Sequence, residues 1–406
     1  MKSEFTIIDL FAGCGGLLDG FEANPHFKSL ASVEWELSPC QTLRQRLRTK
    51  WRHGNADEEV IRFDIQRTKE LFGGFNDMFY GHHNGLDALI GDNKVDVIIG
   101  GPPCQAYSLA GRIRDPNGMR NDYRNYLFES YITVLKHYKP KFFVFENVVG
   151  LLSACPGETP IRKLIAEAFD KAGYKVIDDF SRAVFDVADF GVPQHRKRII
   201  IFGVQKGIFR HYKNIIEAFY ANFLPSEMKE VKTVRDAIAD LPKLFPLQKP
   251  VRQNGIHLSH SMHTEQIANH IPRFHNARDI SIFQLLTKDI ENKQYKYTSI
   301  DSLKELYTRL TGHKSNIHKY YVLRWDEPSN TIPAHLHKDG MRHIHPDSTQ
   351  ARSITVREAA RLQSFDDDFI FLGSQSDQYK MIGNAVPPLF SRAIANAVFN
   401  ALRKVM

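Results

Sequence analysis

Four short groups of residues combine reactive side chains with glycines and prolines that turn a backbone sharply. The first, residues 9–17 (DLFAGCGGL), follows an apolar run and holds three glycines within four positions. Such glycines after a strand let the backbone turn and approach a ligand closely. Leu18 stands where a GxGxxG fingerprint has its third glycine. A site for a dinucleotide diphosphate is therefore not favoured.

An acidic and an aromatic residue follow the second apolar run. Glu34 lies 21 positions after Gly13, where a ribose-binding carboxylate is expected, and Trp35 offers a flat surface for an adenine. Asp64 and Ile65 end a third candidate strand, at the adenine edge. Glycines alone more often make only a tight turn. Together with Glu34 and Trp35 they favour an adenosine-containing cofactor that has no diphosphate.

The second group, residues 100–108 (GGPPCQAYS), presents a cysteine after two prolines. The prolines remove two backbone donors and fix two φ angles, so a strand cannot continue through them. A cysteine is most often a small buried residue. Cys104, however, is held stiffly at the carboxyl end of a strand, where a nucleophile belongs.

The third and fourth groups carry charges. In residues 142–148 (FFVFENV), we expect Glu146 to follow an apolar strand directly, so that burial raises its pKa and lets it donate a proton. A surface glutamate that ends a strand is the alternative. In residues 194–198 (QHRKR), Arg196 and Arg198 project to one face if a strand begins there. A solvated run of charges is the commoner case.

The elements that must position these groups form an α/β pattern. Short apolar runs bounded by glycine and proline, with helical stretches between them, predict a mostly parallel sheet with helices on both faces. Ligands bind outside the carboxyl ends of such strands, where the groups fall. The runs are residues 5–10, 30–33, 95–99, 142–145 and 198–202, and helices are predicted at 356–363 and 391–402.

Composition excludes several classes of protein. Of the 406 residues, 42% are hydrophobic, 11% aromatic and 25% charged, unlike a disordered chain, a coiled coil, a collagen or a disulfide-rich miniprotein. The four cysteines are far apart and include no CxxC pair, so neither a zinc site nor a disulfide framework is expected. No apolar run approaches the roughly 20 residues that span a bilayer. We expect a cytoplasmic protein without a membrane partner.

The positive charge is concentrated in the middle of the chain. Residues 205–350 hold 21 lysines and arginines against 15 acidic residues, and 12 of the 18 histidines. A basic, histidine-rich segment fits a module that faces a polyanion. A solvated surface explains the charge equally well.

Taken in order, the four groups resemble the motifs of the cytosine-5 DNA methyltransferase family, of the bacterial restriction–modification type. Residues 352–363 (RSITVREAARLQ) and 378–387 (QYKMIGNAVP) are similar to the last two blocks of that family. Thr331 and Ile332 resemble a Thr-Leu element that precedes them. The family's common Arg-Gly-x-Leu-Phe sequence after the nucleophile motif appears here as residues 124–128 (RNYLF), so Asn125 replaces the glycine.

The resemblance implies a fold and a division of the chain. The fold is a Rossmann-like methyltransferase sheet with helices on both faces, plus a smaller, irregular target-recognition domain. Residues 1–203 would bind the cofactor and carry catalysis, and residues 204–350 would recognise the target. Residues 351–375 would form a hinge with the penultimate motif, and residues 376–406 a C-terminal helix that returns to the catalytic domain.

The activity implied is methyl transfer from S-adenosylmethionine to carbon 5 of a flipped-out cytosine within a specific double-stranded DNA sequence. Cys104 would add to carbon 6, Glu146 would serve ring nitrogen 3, and Arg196 and Arg198 would hold the base carbonyl oxygen and a phosphate. The protein would act as a monomer, and a cognate restriction endonuclease would share its site without touching it.

The remaining roles also follow from the resemblance. The cofactor would contact Phe11, Ala12, Gly13, Cys14, Gly16, Glu34, Trp35, Asp64, Ile65, Pro103, Leu127, Asn384, Ala385 and Val386. DNA would contact Gln105, Ser108, Arg124, Thr331 and Ile332. Apart from the resemblance, the basic middle segment offers His335, His337, Lys338 and Arg342 as further candidates for groove contacts, and an ordinary surface position explains each histidine equally well.

Three alternatives remain to be weighed. A tRNA-modifying relative uses the same catalytic blocks, but the Cys-Phe-Thr tripeptide that marks that branch does not occur here, and the middle segment is long. A binding protein that has lost catalysis is disfavoured because Cys104, Glu146 and both arginines are present. A nucleotide-dependent oxidoreductase is disfavoured by Leu18 and leaves Cys104 unexplained.

Overall fold

The computed structural model describes residues 4–102, 127–153, 160–207, 212–253, 255–262, 267–314, 319–338 and 340–405. The chain divides into two compact units. Unit 1 comprises Met1–Gly191, Arg196–Glu230 and Ala385–Met406, and unit 2 comprises Val192–His195 and Val231–Asn384. The assignment of functions to residues 1–203, 204–350, 351–375 and 376–406 stays a prediction.

Unit 1 is built on an eight-stranded sheet, with a small separate hairpin. Its strands are β1 Phe5–Leu10, β2 Phe27–Glu34, β3 Val60–Arg62, β4 Phe75–Asp77, β5 Gly81–His83, β6 Val97–Gly100, β7 Phe142–Val148, β8 Tyr174–Lys175, β9 Val184–Asp186 and β10 Lys197–Gln205. The order in the sheet is β3-β2-β1-β6-β7-β10-β8, β9 also pairs with β10, and β4 and β5 form the hairpin. The neighbouring strands β3, β2, β1, β6 and β7 are parallel, whereas β10 runs antiparallel to β7, β8 and β9.

Helices cover this sheet, which confirms the predicted α/β architecture with a mostly parallel sheet. In unit 1 they are α1 Gly16–Glu22, α2 Leu37–Thr49, α3 Ala56–Glu59, α4 Thr68–Gly73, α5 Gly85–Ile90, α6 Leu127–Tyr138, α7 Ile161–Lys171 and α8 Tyr212–Ala218. Unit 2 has α9 Val234–Ile238, α10 Ala277–Glu291, α11 Ile300–Thr311, α12 Val356–Leu362 and α13 Gln375–Asn384, and α14 Pro388–Arg403 returns to unit 1. Short 3₁₀ or π turns lie at Val149–Ser153, Phe180–Ala183, Val187–Asp189, Phe219–Phe223, Pro225–Glu227, Ala334–His337 and Gly340–Arg342.

The centre of the sheet is apolar on both faces, as a parallel sheet with helices on each side requires. The Phe142–Phe145 run is completely buried between neighbouring strands. Tyr131 from α6 reaches the sheet, and its hydroxyl lies 3.1 Å from the Ile98 carbonyl and 3.0 Å from the Val144 carbonyl. This side chain therefore joins α6 to both β6 and β7.

Unit 2 has its own core and one two-stranded ribbon. The ribbon pairs β11 Pro246–Gln253 with β12 Ile256–His260 in antiparallel register. Helices α10 and α11 pack through Phe283, Leu286, Leu303 and Leu306.

Several predicted bounds were wrong. Glu146 and Asn147 lie inside β7 rather than after it, because β10 pairs with β7 as far as Arg198 and Val148. The third strand ends at Arg62, two residues before Asp64. The last helix begins at Pro388, earlier than expected, since a proline at the first helical turn has no N–H to leave unpaired.

The described residues contain neither a membrane-spanning helix nor a cluster of metal ligands. Within the ranges stated above, no helix is long and apolar enough to cross a membrane. The same residues contain no group of three or more histidine, cysteine or acidic side chains placed to hold a metal ion.

Candidate active site

Strand order and direction bring the predicted groups of unit 1 to one edge of the sheet. The parallel strands β1, β2, β6 and β7 all end there, and antiparallel β10 begins there. β1 and β6 are neighbours, with Leu10 beside Gly100, and the strand order continues from β1 to β2 in one direction and from β6 to β7 in the other. Such a switch point opens a crevice in which doubly wound proteins bind ligands.

The glycine-rich loop after β1 is bent by residues in left-handed conformations. Phe11, Gly13 and Gly15 have φ angles of 59°, 56° and 91°. Left-handed backbone is costly for phenylalanine, and such strain is characteristic of functional sites. A Cβ atom placed on Gly13 would meet no atom of the described residues within 4 Å. The loop therefore leaves open space beside its backbone.

Glu34 anchors this loop from the end of β2. Its carboxylate accepts hydrogen bonds from the backbone N–H groups of Gly13 at 2.8 Å, Trp35 at 2.8 Å and Glu36 at 2.9 Å. Burial nevertheless raises the pKa of Glu34. The Trp35 side chain is 49% exposed, an unusual amount for an indole. Glu34 and Trp35 thus present an acceptor and an open aromatic face side by side.

Several other residues that were predicted to contact the cofactor are buried. Ala12, Cys14, Gly16, Ile65 and Leu127 are buried or nearly so. Burial raises the pKa of the Cys14 thiol to about 12, so this residue has no reactive thiolate. The Asp64 carboxylate accepts a hydrogen bond from the Gln66 N–H at 3.0 Å.

The carboxyl group of Asp9 is a further feature of this site, and no role for it was predicted from the sequence. Asp9 lies in β1, is 1% exposed, and neither of its oxygens has a hydrogen-bond partner among the described residues. Burial, with Glu34 nearby, raises its pKa well above the ordinary value. The sequence did contain a signal for this residue, because Asp9 is acidic while its neighbours Ile8 and Leu10 are apolar.

The end of β6 lies against Glu146. A Cβ atom on Gly101 would stand 2.7 Å from Glu146 Oε2, so a larger residue there would displace the carboxylate from this position. The neighbouring Asn147 donates a hydrogen bond from Nδ2 to the Pro102 carbonyl at 3.2 Å. These contacts hold the backbone two residues before Cys104 beside the Glu146 side chain.

Two arginines, Arg196 and Arg198, lie near Glu146. Arg198 Nε lies 2.9 Å from Glu146 Oε1, on the shared face of β7 and β10. Burial raises the pKa of Glu146, and the charges of Arg198 and Arg196 offset this only partly. Arg196 is buried and donates from Nη2 to the Ala385 carbonyl at 3.2 Å. The structure therefore brings three predicted catalytic residues together.

The C-terminal contributors are split between the two units. Ala385 and buried Val386 belong to unit 1 and lead into α14, whereas exposed Asn384 ends α13 in unit 2. Helix α14 packs against α1 so closely that a Cβ on Gly20 would lie 2.5 Å from Ser391 Cβ. This packing fixes the segment that holds Ala385.

The two predicted DNA contacts described in unit 2 have different environments. Thr331 is exposed, and its hydroxyl donates to the His195 carbonyl at 2.6 Å. Ile332 is completely buried, and its N–H donates to Gln194 Oε1 at 2.8 Å. The Ile332 side chain is buried in this conformation, and its role at the DNA stays a prediction.

Five of the predicted site residues lie outside the described part of the chain. They are Pro103, Cys104, Gln105, Ser108 and Arg124. Their roles stay predictions.

An adenosine-containing ligand fits the residues that are described. Gly13 leaves space that a side chain would fill, the Trp35 indole is open for stacking, and Glu34 offers a carboxylate for hydroxyl groups. Asp9 is a buried acceptor without a donor among the described residues. An adenosine that carries a charged amino acid has the hydroxyl and ammonium donors that suit such carboxylates.

Comparison with known proteins agrees with this geometry. The family model described as C-5 cytosine-specific DNA methylase matches residues 5–400. A Type II methyltransferase of Bacillus paralicheniformis, M.Bpa9945I, is 38% identical over 97% of this chain and 98% of its own length. M1.HphI, a Type II methyltransferase of Haemophilus parahaemolyticus, is 35% identical over 97% of this chain and 87% of its own length.

Solved structures share the fold. A crystal structure described as a prophage-encoded DNA modification methyltransferase, from E. coli, superposes with a TM-score of 0.63 at 22% identity, covering 98% of this chain and 100% of that one. The Dnmt2 methyltransferase of S. pombe gives a TM-score of 0.53 at 14% identity, covering 99% of each chain. The fold is thus the Rossmann-like methyltransferase fold, and the chain belongs to the C-5 cytosine-specific DNA methylase family, as a DNA cytosine-5 methyltransferase.

Proposed function

We propose that this enzyme transfers the methyl group of S-adenosylmethionine to carbon 5 of a flipped-out cytosine in a specific double-stranded DNA sequence, through a covalent bond between Cys104 and carbon 6. The observation that carries the proposal is the position of Glu146. This buried carboxyl is paired with Arg198 and lies against Gly101, three residues before Cys104.

The chemistry requires a nucleophile and an acid. Carbon 5 of cytosine is a poor nucleophile, and adding the Cys104 thiolate to carbon 6 turns the ring into an enamine. Electron density then moves toward ring nitrogen 3, where the Glu146 carboxyl donates a proton or a hydrogen bond. The raised pKa of Glu146 favours the protonated form that this role needs. The target base must leave the helix to reach these groups.

Arg196 and Arg198 would orient the acid and bind the substrate. Arg198 orients the Glu146 carboxyl, and both guanidiniums supply donors for the carbonyl oxygen of the base and a neighbouring phosphate. After methyl transfer, loss of the carbon-5 proton to a base such as water breaks the bond from Cys104 to carbon 6 and frees the enzyme.

The cofactor would lie at the glycine-rich loop. Glu34 would bind the ribose hydroxyls and Trp35 would stack on the adenine, with Asp64 and Ile65 at its edge. S-adenosylmethionine supplies an electrophilic methyl group when bound. The backbone of residues 11–16 and of Ala385 would enclose its remaining part, together with Pro103, Leu127, Asn384 and Val386.

The biological role would be the modification half of a restriction–modification system, because relatives that cover almost the whole chain are named Type II methyltransferases. The enzyme would act in the cytoplasm as a monomer on DNA, beside a cognate endonuclease that needs no contact with it. A tRNA substrate is not favoured, because the matching family and these relatives are DNA methyltransferases.

Bisulfite sequencing, followed by a covalent trap, tests the proposal. Sequencing DNA from cells that express the protein should show protected cytosines within one sequence, which defines the target. A duplex with 5-fluorocytosine at that position should form a denaturant-stable complex with the wild type and none with Cys104→Ser. Methylation that continues in Cys104→Ser at even a few per cent of the normal rate excludes Cys104 as the nucleophile.

A further inference from the structure

The ribbon of unit 2 is anchored at its base and exposed at its tip. At the base, the N–H of Leu244 donates to Gln350 Oε1 at 2.9 Å, and His260 Nε2 lies 2.9 Å from the Gln350 carbonyl. At the tip, residues 248–253 and 255–257 are all exposed. A two-stranded hairpin gains little stability by itself. An exposed ribbon on a firm base therefore suggests a binding element.

The ribbon lacks acidic residues. No aspartate or glutamate occurs between Asp240 and Glu265, a stretch that includes Lys249 and Arg252. Neither of these two cations has an ion-pair partner among the described residues, whereas Lys243 at the base lies 3.0 Å from Asp347. The tip is therefore positively charged without a local counter-charge, which suits a polyanionic partner.

The register of the ribbon gathers donors on one face. Arg252 on β11 lies directly opposite His257 on β12, and Gln253 lies opposite Ile256. Side chains alternate between the faces of a strand, so Arg252 and His257 share a face and Gln253 and Ile256 share the other. An arginine beside a second donor, here the His257 ring, can recognise base edges, and a flanking lysine can bind phosphate.

We propose that the tip of this ribbon, residues 248–253 and 255–257, enters the major groove of the DNA substrate, with Arg252 on a base edge and Lys249 on a phosphate. The major groove admits a two-stranded ribbon, and arginine pairs with guanine there through two hydrogen bonds. This inference rests on the proposed function and assigns target recognition to the ribbon. It differs from the recognition predicted for Thr331 and Ile332, of which Ile332 is buried.

Equilibrium binding tests the two roles separately. The probes are a duplex that carries the methylated sequence found by bisulfite sequencing and a duplex of equal length with that sequence scrambled, each titrated over a range of salt concentrations. Arg252→Ala should lose about 10-fold of the preference for the specific duplex. Lys249→Ala should weaken binding to both duplexes alike and reduce the slope of log affinity against log salt by about 0.9.

The control is Lys288→Ala, which removes an exposed lysine of α10 in the same unit and should bind both duplexes like the wild type. Equal urea unfolding midpoints for all variants establish that they are folded. If Arg252→Ala and Lys249→Ala both match Lys288→Ala, the ribbon does not contact DNA. A wild type that methylates cytosine while the ribbon variants show no defect overturns this inference alone. A wild type that methylates no cytosine overturns the proposed function.

Discussion

Two buried glutamates, each paired with an arginine, have opposite electrostatic environments in the two units. In unit 2, Glu358 receives hydrogen bonds from Arg352 Nη1 at 2.7 Å, Arg352 Nη2 at 2.6 Å and the Thr355 N–H at 2.7 Å. In unit 1, the ion pair that Glu146 forms within the described part of the chain is with Arg198, at 2.9 Å. Counted over the described residues, the carboxylate of Glu358 therefore has more hydrogen-bond partners than that of Glu146.

The pKa shifts follow this difference. Burial alone would raise the pKa of Glu358, but Arg352 and His345 lower it below the ordinary value. Burial raises the pKa of Glu146, and Arg198 and Arg196 do not reverse the shift. A glutamate that is fully hydrogen-bonded stays ionised and stabilises the fold. A glutamate that is incompletely bonded is suited to carry a proton, and we infer that Glu146 belongs to this second kind.

The largest expected effect is the loss of stability in Glu358→Gln. The amide leaves Arg352 buried without a counter-charge, so the free energy of unfolding should fall by about 3 kcal/mol. Urea denaturation measures it. The double variant Arg352→Met, Glu358→Leu should recover much of the loss, because apolar residues of similar size replace a buried pair well. A loss below about 1 kcal/mol in the single variant would contradict an anchoring role.

Glu146→Gln should have the reverse profile. Glutamine keeps the shape but cannot donate an acidic proton, so the rate of methyl transfer should fall roughly 100-fold or more. The free energy of unfolding should change by only about 1 kcal/mol, and binding of S-adenosylhomocysteine should not change. A single-turnover assay, urea denaturation and calorimetry provide the three values. A stability loss equal to that of Glu358→Gln would make Glu146 a structural residue.

Acid should unfold unit 2 through its histidines as well as Glu358. Burial lowers the pKa of His345 to about 3, of His275 to about 3 and of His260 to about 4, from an ordinary value of 6.5. The unfolded chain therefore binds more protons below about pH 6.5, and this part of the stability is lost as the pH falls toward 4. The raised pKa of Glu146 acts in the opposite sense, because its contribution is lost as the pH rises.

The fluorescence of Trp325 can be used to follow the unfolding of unit 2. Its ring lies 5.5 Å from that of His345, centroid to centroid, whereas Trp35 and Trp51 belong to unit 1. In the variant Trp35→Phe, Trp51→Phe, the urea midpoint followed by Trp325 emission should decrease steadily from pH 7 to pH 4.5. A constant midpoint over this range would show that the buried histidines do not control the stability of unit 2.

In unit 1, the sequence was a better guide to which residues lie close together than to the strand directions that bring them together. The order of strands and glycines was sufficient to place Glu34, Gly101 and Glu146 at one edge of a sheet. The antiparallel direction of β10 was not predictable from its apolar run, because that pattern is the same in either direction. This direction brings Arg198 to Glu146 and extends β7 past the predicted end.

Unit 2 was less predictable, because several of its contacts join residues that are distant in sequence. Ile332 was expected at the DNA, but its N–H bonds to Gln194, and no local pattern reveals a partner 138 positions away. The exposed ribbon depends on pairing between two segments of weak strand propensity. Only the absence of acidic residues between Asp240 and Glu265 was visible in the sequence.

The smallest effect on stability should come from adding one methyl group beside Glu146. In Gly101→Ala, the new Cβ would lie 2.7 Å from Glu146 Oε2, the mobile end of a side chain. In Gly100→Ala, it would lie 2.4 Å from the backbone carbonyl of Leu10 in the neighbouring strand. The two variants add the same group one position apart, against a side chain in one case and against the sheet in the other.

The two variants should differ because different groups must move to make room for the new methyl group. A carboxylate can rotate away at little cost, so Gly101→Ala should unfold near the wild-type urea midpoint, but a displaced acid should slow methyl transfer about 10-fold. Paired strands cannot separate locally, so Gly100→Ala should lose about 1–3 kcal/mol of stability. Single-turnover rates and urea midpoints distinguish the two cases. Equal destabilisation of both variants would mean that Gly101 is required by the backbone, and that the carboxylate of Glu146 is not what restricts this position to glycine.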